Sequence, residues 1–131
     1  MLMAKVALVV DDSMLIRYAL CRFLEGRGFT VESATDGTEA LEIVARVLPD
    51  VIVTDMQMRK MSGGELITAL KAKPETARLP IIVVSSKRAD DPGFEKRSDF
   101  TICKDIDIEG QLGRALDALA GKAGREQAAG K

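Results

Sequence analysis

The chain has 131 residues, of which 47% are hydrophobic and 30% are charged, and its formal net charge is −1. This length and composition are typical of a single globular domain with a buried core and exclude a largely disordered chain. Lysine and arginine total 19 against 20 acidic residues, without a long basic block or an apolar run of membrane-span length, so we expect neither direct nucleic acid binding nor membrane insertion.

The first half of the chain alternates between strand and helix patterns. The apolar run 6–10 has no polar alternation, which is typical of a strand covered on both faces of a parallel sheet. Apolar side chains at helical spacing predict a helix over 13–25. A weaker strand pattern covers 29–34, and a second helix is predicted over 38–47, with Leu48 expected to face inward.

The second half repeats this alternation. Apolar runs predict strands over 51–54 and 81–84, and a weaker one over Phe100–Cys103. Helices are predicted over 64–72 and over 108–120, where apolar residues form one stripe. Strands that alternate with helices predict an α/β fold with a doubly wound parallel sheet.

Two segments depart from the alternation. The segment 86–100 has few apolar residues and contains Pro92 and Gly93, so a fourth helix there is predicted to be short or missing. The segment 121–131 has little apolar surface to bury and is predicted to be a flexible tail after a domain over 1–120. The two cysteines form neither a disulfide framework nor a zinc pattern, which favours a reducing, cytoplasmic location.

Acidic and polar residues follow four strands of the predicted sheet. They are Asp11, Asp12, Asp55, Ser85, Ser86 and Lys104. Because parallel strands end at one edge of the sheet, where ligands bind in this fold class, these side chains are expected to meet. Three carboxylates about 4 Å apart would repel by about 10 kcal/mol in total at an effective dielectric of about 20, so a cation must lie among them. Oxygen ligands beside a phosphate favour Mg²⁺.

Each of these residues also has an ordinary structural explanation when it is taken alone. An aspartate after a strand is commonly a helix cap or a turn residue, a serine is a strand-end hydroxyl, and a lysine is a solvated charge. Only their joint placement at four strand ends predicts a functional site.

At residues 5–120 the sequence resembles the receiver domain of two-component response regulators. The matching segments are VVDDS with Asp11 and Asp12, VIVTDMQM with Asp55, MSGGEL, LPIIVVSS with Ser85, and TICKD with Lys104. The resemblance implies a flavodoxin-like, five-stranded parallel sheet in the order 2-1-3-4-5 with flanking helices.

The resemblance also implies a role for each acidic residue. Asp55 would be the nucleophile that becomes an aspartyl phosphate, taking the phosphoryl group from a phosphohistidine of a sensor histidine kinase or a phosphotransfer protein. Asp11 and Asp12 would hold Mg²⁺ together with a carboxylate oxygen of Asp55 and the main-chain carbonyl of Gln57. Such a site suits phosphoryl transfer, which depends on positioning and on neutralised charge.

The remaining site residues would act on the phosphoryl group after transfer. By resemblance, Lys104 would pair with its oxygens and the Ser85 hydroxyl would bond to them. Gln57 and Lys87 would flank the route of the water that hydrolyses the aspartyl phosphate. The protein would then not be an enzyme beyond its own phosphotransfer and autodephosphorylation, and its output would pass through contact with an unidentified downstream protein.

Three positions depart from the pattern of that family. Asp105 replaces a proline that commonly follows the lysine, so the peptide bond after Lys104 is predicted to be trans and the ammonium to be aimed differently. Thr101 replaces the aromatic switch residue, and Phe100 would substitute for it only if the strand register slipped by one. Arg59 replaces a proline in the loop after Asp55.

Two other functions stay open at this point. A pseudo-receiver would bind a partner without being phosphorylated, which the departures at Thr101 and Asp105 favour. A phosphatase with an aspartyl nucleophile typically has an Asp-x-Asp arrangement after its first strand, whereas Asp11 and Asp12 are adjacent in this chain.

Overall fold

The computed structural model describes residues 5–87, 95–104 and 106–129, with side chains described as far as Gly121. Strands and helices alternate along these ranges. From the N-terminus the elements are β1 (Val6–Val10), α1 (Met14–Gly26), β2 (Thr30–Ala34), α2 (Gly37–Arg46), β3 (Val51–Asp55), α3 (Gly63–Lys71), β4 (Ile81–Ser85), β5 (Phe100–Cys103) and α4 (Ile108–Ala129).

The five strands form one parallel sheet in the order β2-β1-β3-β4-β5, as predicted. This order places β1 beside β3 at the centre, with Val10 opposite Thr54. On the other side of β3, Asp55 lies opposite Val84 of β4. The residues that follow β1, β3 and β4 therefore leave the sheet at one edge, beside the point where the strand order reverses.

Both faces of the sheet are covered by helices. Side chains such as Ala7 and Val9 of β1 pack with α1 and α4, and the alternate side chains, such as Leu8 and Val10, pack with α2 and α3. These four side chains are fully buried. Burial on both faces explains why the strand sequences lack polar alternation.

The helices begin and end where their sequences provide caps. The Ser13 hydroxyl accepts a hydrogen bond from the Ile16 N–H at the start of α1. After α1, Gly28 has φ 95°, a left-handed conformation that glycine adopts at little cost. At the start of α3, Ser62 and Glu65 form a reciprocal capping box. These caps set where α1 and α3 begin, and both helices begin within one residue of the predicted position.

Two predictions near helix ends were wrong. Leu48 is 57% exposed rather than inward-facing, because α2 ends at Arg46 and the chain leaves the helix before Leu48. The last helix does not end near residue 120, because the backbone of α4 continues to Ala129. Residues 121–129, predicted as a tail, are therefore helical; their alanine, lysine, arginine, glutamate and glutamine residues favour helix and outweigh two glycines. The domain limit at residue 120 stays a prediction.

Four helices occur in the described ranges, and none lies between β4 and β5. Residues 86–87 and 95–99 of that connection are not helical. The rest of the predicted short or missing helix, residues 88–94, lies outside the described residues. No helix in the described part of the chain has an apolar stretch long enough to cross a bilayer.

Candidate functional site

The carboxylates that follow β1 and end β3 lie together at the carboxyl edge of the sheet. One ligand oxygen from each of Asp11, Asp12 and Asp55 lies within 4.8 Å of the others. Asp11 and Asp55 are buried, with 0% and 4% of their surface exposed, whereas Asp12 is exposed. The predicted meeting of these three acids is therefore present in the structure.

Asp11 is a buried acid whose two carboxylate oxygens differ in their contacts. Its Oδ1 accepts a hydrogen bond of 2.8 Å from the Ser13 N–H, and its Oδ2 is buried without a hydrogen-bond partner in the described residues. Burial raises the pKa of Asp11, and the charges of Asp55 and Asp12 raise it further, against the lowering effects of the Ser13 N–H and Lys104. Without a cation, the ionised form of Asp11 is disfavoured.

The acidic cluster fits a small divalent cation. A buried, unpartnered carboxylate oxygen on Asp11 and two further carboxylates within reach form the hard oxygen donor set that Mg²⁺ prefers. Gln57, whose main-chain carbonyl the resemblance implies as a ligand, is exposed and lines the same cavity as Asp55. The exposed carboxylate of Asp12 gives the cluster a side that is open to solvent.

Asp55 accepts two contacts through the same oxygen. Its Oδ1 accepts a hydrogen bond of 2.8 Å from the Met56 N–H and lies 2.9 Å from the Lys104 Nζ. Lys104 directly follows β5, and its main-chain N–H donates to the Ser85 carbonyl at the end of β4. The lysine therefore reaches Asp55 across the end of β4. Its position agrees with the prediction that the polar residues after the strands meet at one edge of the sheet.

A small polar cavity of about 120 Å³ opens beside Asp55. The buried Ser85 faces it, and the Ser85 hydroxyl oxygen accepts a hydrogen bond of 3.0 Å from the Lys87 N–H. Because a hydroxyl that accepts one bond still has a proton to donate, Ser85 can donate to a group bound on Asp55. The cavity is lined by Asp55, Met56, Gln57, Ser85, Ser86, Lys87 and Lys104.

The loop after Asp55 is fixed by a close contact with α3. The Gly63 N–H donates to the Met56 carbonyl at 2.9 Å. A Cβ at Gly63 would overlap the main-chain oxygen of Asp55 and the Cα of Met56. Glycine is therefore required for α3 to pack directly against the end of β3, and this packing holds Asp55 in place.

Two residues that contact the site were not predicted. Arg17 of α1 donates a hydrogen bond of 2.8 Å to the main-chain carbonyl of Asp11. Gln111 of α4 bonds both main-chain groups of Cys103, the residue before Lys104. No sequence pattern pointed to either contact, because each depends on how its helix packs on the sheet.

The departures at β5 are real structural differences. Thr101 lies opposite Val83, and its hydroxyl is 3.2 Å from the hydroxyl of Ser98. Phe100 packs against the cluster formed with α1 and α4, on the other face of the sheet. Phe100 and Thr101 lie on opposite faces of the sheet, so Phe100 does not take the place of an aromatic residue at Thr101. Asp105 lies outside the described residues, so the predicted trans peptide bond after Lys104 stays a prediction.

Comparison with known proteins shows similarity across most of the chain. A family model described as "Response regulator receiver domain" matches residues 7–109. The chain is 35% identical over 116 residues to the "Gliding motility regulatory protein" of Myxococcus xanthus, covering 86% of this chain and 15% of that protein. It is 36% identical over 110 residues to the "Response regulator MprA" of Mycobacterium leprae, covering 82% of this chain and 47% of the relative. The chain thus spans less than half the length of these curated relatives.

Solved structures show the same architecture. The chemotaxis response regulator CheY4 of Vibrio cholerae superposes with a TM-score of 0.77 at 27% identity, covering 88% of this chain and 98% of that one. A response regulator structure from Chloroflexus aurantiacus gives a TM-score of 0.78 at 27% identity, covering 90% and 99%. The fold of this chain therefore has close counterparts among solved structures.

Proposed function

Because the chain belongs to the receiver domain family of response regulators, we propose that it is a signalling switch that is phosphorylated on Asp55. The phosphoryl donor is a phosphohistidine of a sensor histidine kinase or of a phosphotransfer protein. The phosphorylated form acts through contact with a downstream protein. The proposal assigns a regulatory role rather than turnover of a substrate.

One observation carries this proposal: the buried Asp55 lies in a cluster with two further carboxylates and beside the ammonium of Lys104. The ligand atoms of Asp11, Asp12 and Asp55 lie within 4.8 Å of one another, and the Lys104 Nζ is 2.9 Å from Asp55 Oδ1. A purely structural aspartate would not need three mutually repelling acids at one strand edge. The arrangement supports a carboxylate that receives a further anionic group.

The transfer step makes one bond and breaks one. An oxygen of Asp55 forms a bond to phosphorus while the bond from phosphorus to the donor imidazole nitrogen breaks, and that nitrogen keeps the electron pair. Both contacts made by the Asp55 carboxylate in the described part of the chain go to Oδ1, so we assign the attack to Oδ2. The fixed position of Asp55 at the end of a buried strand provides the in-line alignment that this reaction requires.

Asp11, Asp12 and Asp55, with the Gln57 carbonyl, are the proposed ligands of Mg²⁺. Bound there, the ion would neutralise negative charge on the phosphoryl oxygens and on the carboxylates. Asp11 orients its oxygens through the bond from the Ser13 N–H. Lys104 adds a second positive charge, 2.9 Å from Asp55 Oδ1.

The switch follows from the charge and the acceptor oxygens that phosphorylation adds. Ser85 would donate its hydroxyl proton to a phosphoryl oxygen, and the residues after it would move because the Lys87 N–H is bonded to that hydroxyl. Gln57 and Lys87 line the same cavity as Asp55 and would order the water that hydrolyses the aspartyl phosphate. The surface formed by the β4–β5 connection would change with them.

The proposal is tested by measuring intact mass after incubation with Mg²⁺ and a small acyl phosphate donor. The wild-type chain should gain the mass of one phosphoryl group, and Asp55→Asn should gain none, because the amide is not a nucleophile toward phosphorus. Asp117→Asn is the matched control, since Asp117 is exposed on α4 and pairs with Arg27 away from the site. A mass gain that survives in Asp55→Asn, or no gain in the wild type, would contradict the proposal.

A pseudo-receiver is the second candidate, and Thr101 favours it. Thr101 is not aromatic, and its hydroxyl contacts the Ser98 hydroxyl. This position therefore has no aromatic side chain that could move together with Ser85. If the chain is such a module, the wild type and Asp55→Ala should bind the partner with equal affinity. The switch proposal expects the affinity of the wild type to change on phosphorylation and that of Asp55→Ala to stay constant.

A further inference from the structure

Gln111 of α4 binds the exposed edge of the sheet at the residue before Lys104. Within the described ranges β5 is an edge strand, so its outer main-chain groups have no partner among the other strands there. The Gln111 Oε1 accepts from the Cys103 N–H at 3.0 Å, and its Nε2 donates to the Cys103 carbonyl at 2.9 Å. The Nε2 also contacts the Ile106 carbonyl. One carboxamide thus joins the main chain on both sides of Lys104.

The position of the Lys104 ammonium depends on how the main chain of Lys104 is held. Its main-chain N–H donates to the Ser85 carbonyl at 3.0 Å, and its Nζ lies 2.9 Å from Asp55 Oδ1. A lysine side chain is long and has several rotatable bonds, so where its ammonium lies depends on where its backbone is held. A shift at Cys103 would therefore move the ammonium away from Asp55.

The chemistry of Gln111 matches this task. A carboxamide has both donors and an acceptor and carries no charge, so it can bond an N–H and two carbonyls together. A carboxylate of the same shape could accept from the Cys103 N–H but would repel the Cys103 and Ile106 carbonyls. Asp105 follows Lys104 in this chain, so the loop does not have the fixed backbone angle that a proline would give it.

We infer that Gln111 is a positioning residue for Lys104, which holds the end of β5 so that the lysine ammonium reaches the group on Asp55. This inference rests on the proposed function, because it assigns Lys104 to the phosphoryl transfer. Gln111 itself does not touch the reacting atoms. It acts through the backbone of Cys103 and Ile106.

The inference is tested by the rate of Asp55 phosphorylation from a small acyl phosphate at saturating Mg²⁺. Gln111→Leu should be about tenfold slower than the wild type, because small displacements of a catalytic group cost at least that much. The Mg²⁺ concentration for half-maximal rate should not change, since Asp11 and Asp12 are untouched. Arg114→Ala is the matched control, an exposed residue one turn later on α4, and should keep the wild-type rate.

A double-mutant cycle separates positioning from a general structural role. In a Lys104→Ala background, Gln111→Leu should slow the reaction by less than about twofold, because the group that it positions is gone. An equal loss in both backgrounds, or a wild-type rate for Gln111→Leu, overturns the inference. Should Gln111→Leu not fold, Gln111→Glu keeps the side-chain shape and loses both donor contacts, and the same cycle applies to it.

Failure of the proposed function gives a different result. In that case the wild type itself gains no phosphoryl group at Asp55. Crystal structures of the wild type and of Gln111→Leu then decide the inference. A Lys104 Nζ that stays within hydrogen-bond distance of Asp55 in the variant overturns it, and a displaced Nζ supports it.

Discussion

Asp11 shows at the residue scale how a site can be arranged for function at a cost in stability. Its carboxylate is fully buried, one of its oxygens has no partner in the described residues, and two other acids lie nearby. A buried charge of this kind is unfavourable unless an opposite charge compensates it. Lys104 compensates in part, and its effect on the pKa of Asp11 is smaller than that of burial.

We predict that Asp11→Asn stabilises the metal-free protein. The amide removes a buried charge while its oxygen can still accept from the Ser13 N–H. A gain of about 1 kcal/mol would raise Tm by about 4 °C in a chain of this size. Thermal unfolding in the presence of a chelator measures this change.

Magnesium provides the control for the same variant. Added Mg²⁺ should raise Tm of the wild type, because a ligand that binds only the folded state stabilises it, and should leave Tm of Asp11→Asn nearly unchanged. A lower Tm for the metal-free variant, or an equal response of both proteins to Mg²⁺, would show that Asp11 is not a strained metal ligand.

Gly63 allows a second prediction at this scale. Gly63→Ala should destabilise the protein by about 2 kcal/mol, because the added methyl group overlaps the backbone of Asp55 and Met56, which cannot move without displacing β3. Gly26→Ala is the matched control, since a Cβ there has nothing within 4 Å. Chemical denaturation of both variants measures the difference. Equal stabilities would mean that α3 does not pack against the end of β3 as described.

At the scale of elements, the connection between β4 and β5 is attached to α3 by one arginine. Arg97 donates 2.7 Å and 3.1 Å hydrogen bonds to the Thr68 hydroxyl and the Gly64 carbonyl, and it pairs with Glu95 at 2.9 Å. Hydrogen bonds from Arg97 hold the pKa of Glu95 below its ordinary value. The described part of this connection is therefore held without helical structure.

We predict that Arg97→Ala lowers the free energy of unfolding by about 1 kcal/mol near neutral pH, a modest value because Arg97 is exposed to solvent. The pKa of Glu95 is lower in the folded state, so its contribution is complete above the ordinary value of 4.5 and is lost as the pH falls through the lowered one. The difference between wild type and variant should shrink at acid pH. Denaturation at several pH values measures it, with Lys96→Ala as the control; a pH-independent difference would exclude the Glu95 contribution.

The sequence determined most elements because their signals are local. Runs such as 6–10 and 81–84 lack alternation because both of their faces are covered, and the structure has strands there. Caps such as Ser62 with Glu65 act within one turn. Leu48 was misjudged because apolar spacing alone does not show where a helix ends. The length of α4 was underestimated because a segment with little apolar surface to bury was taken for a tail, although its residue types favour helix.

At the scale of the whole molecule, the site was predictable because a parallel sheet gathers its strand ends at one edge. The strand-end positions in the sequence assign Asp11, Asp12, Asp55, Ser85 and Lys104 to that edge. They do not assign Arg17 or Gln111, because each reaches the site from a helix through a contact that depends on how that helix packs on the sheet. Residues that hold the reacting groups in place are therefore the part of the site that requires a structure.

The central claim is that acids from two neighbouring strands hold one divalent cation against the carboxylate that becomes phosphorylated. The most direct test is the rate of Asp55 phosphorylation measured by intact mass over a range of Mg²⁺ concentrations, for the wild type and for Asp12→Asn. Asp12 is exposed, so its substitution does not disturb packing. We predict no phosphorylation in a chelator, saturation with Mg²⁺ in the wild type, and a shift of the half-maximal concentration by at least about tenfold in Asp12→Asn, as expected for a lost metal ligand. Phosphorylation that proceeds in the chelator, or identical Mg²⁺ curves for the two proteins, would contradict the account.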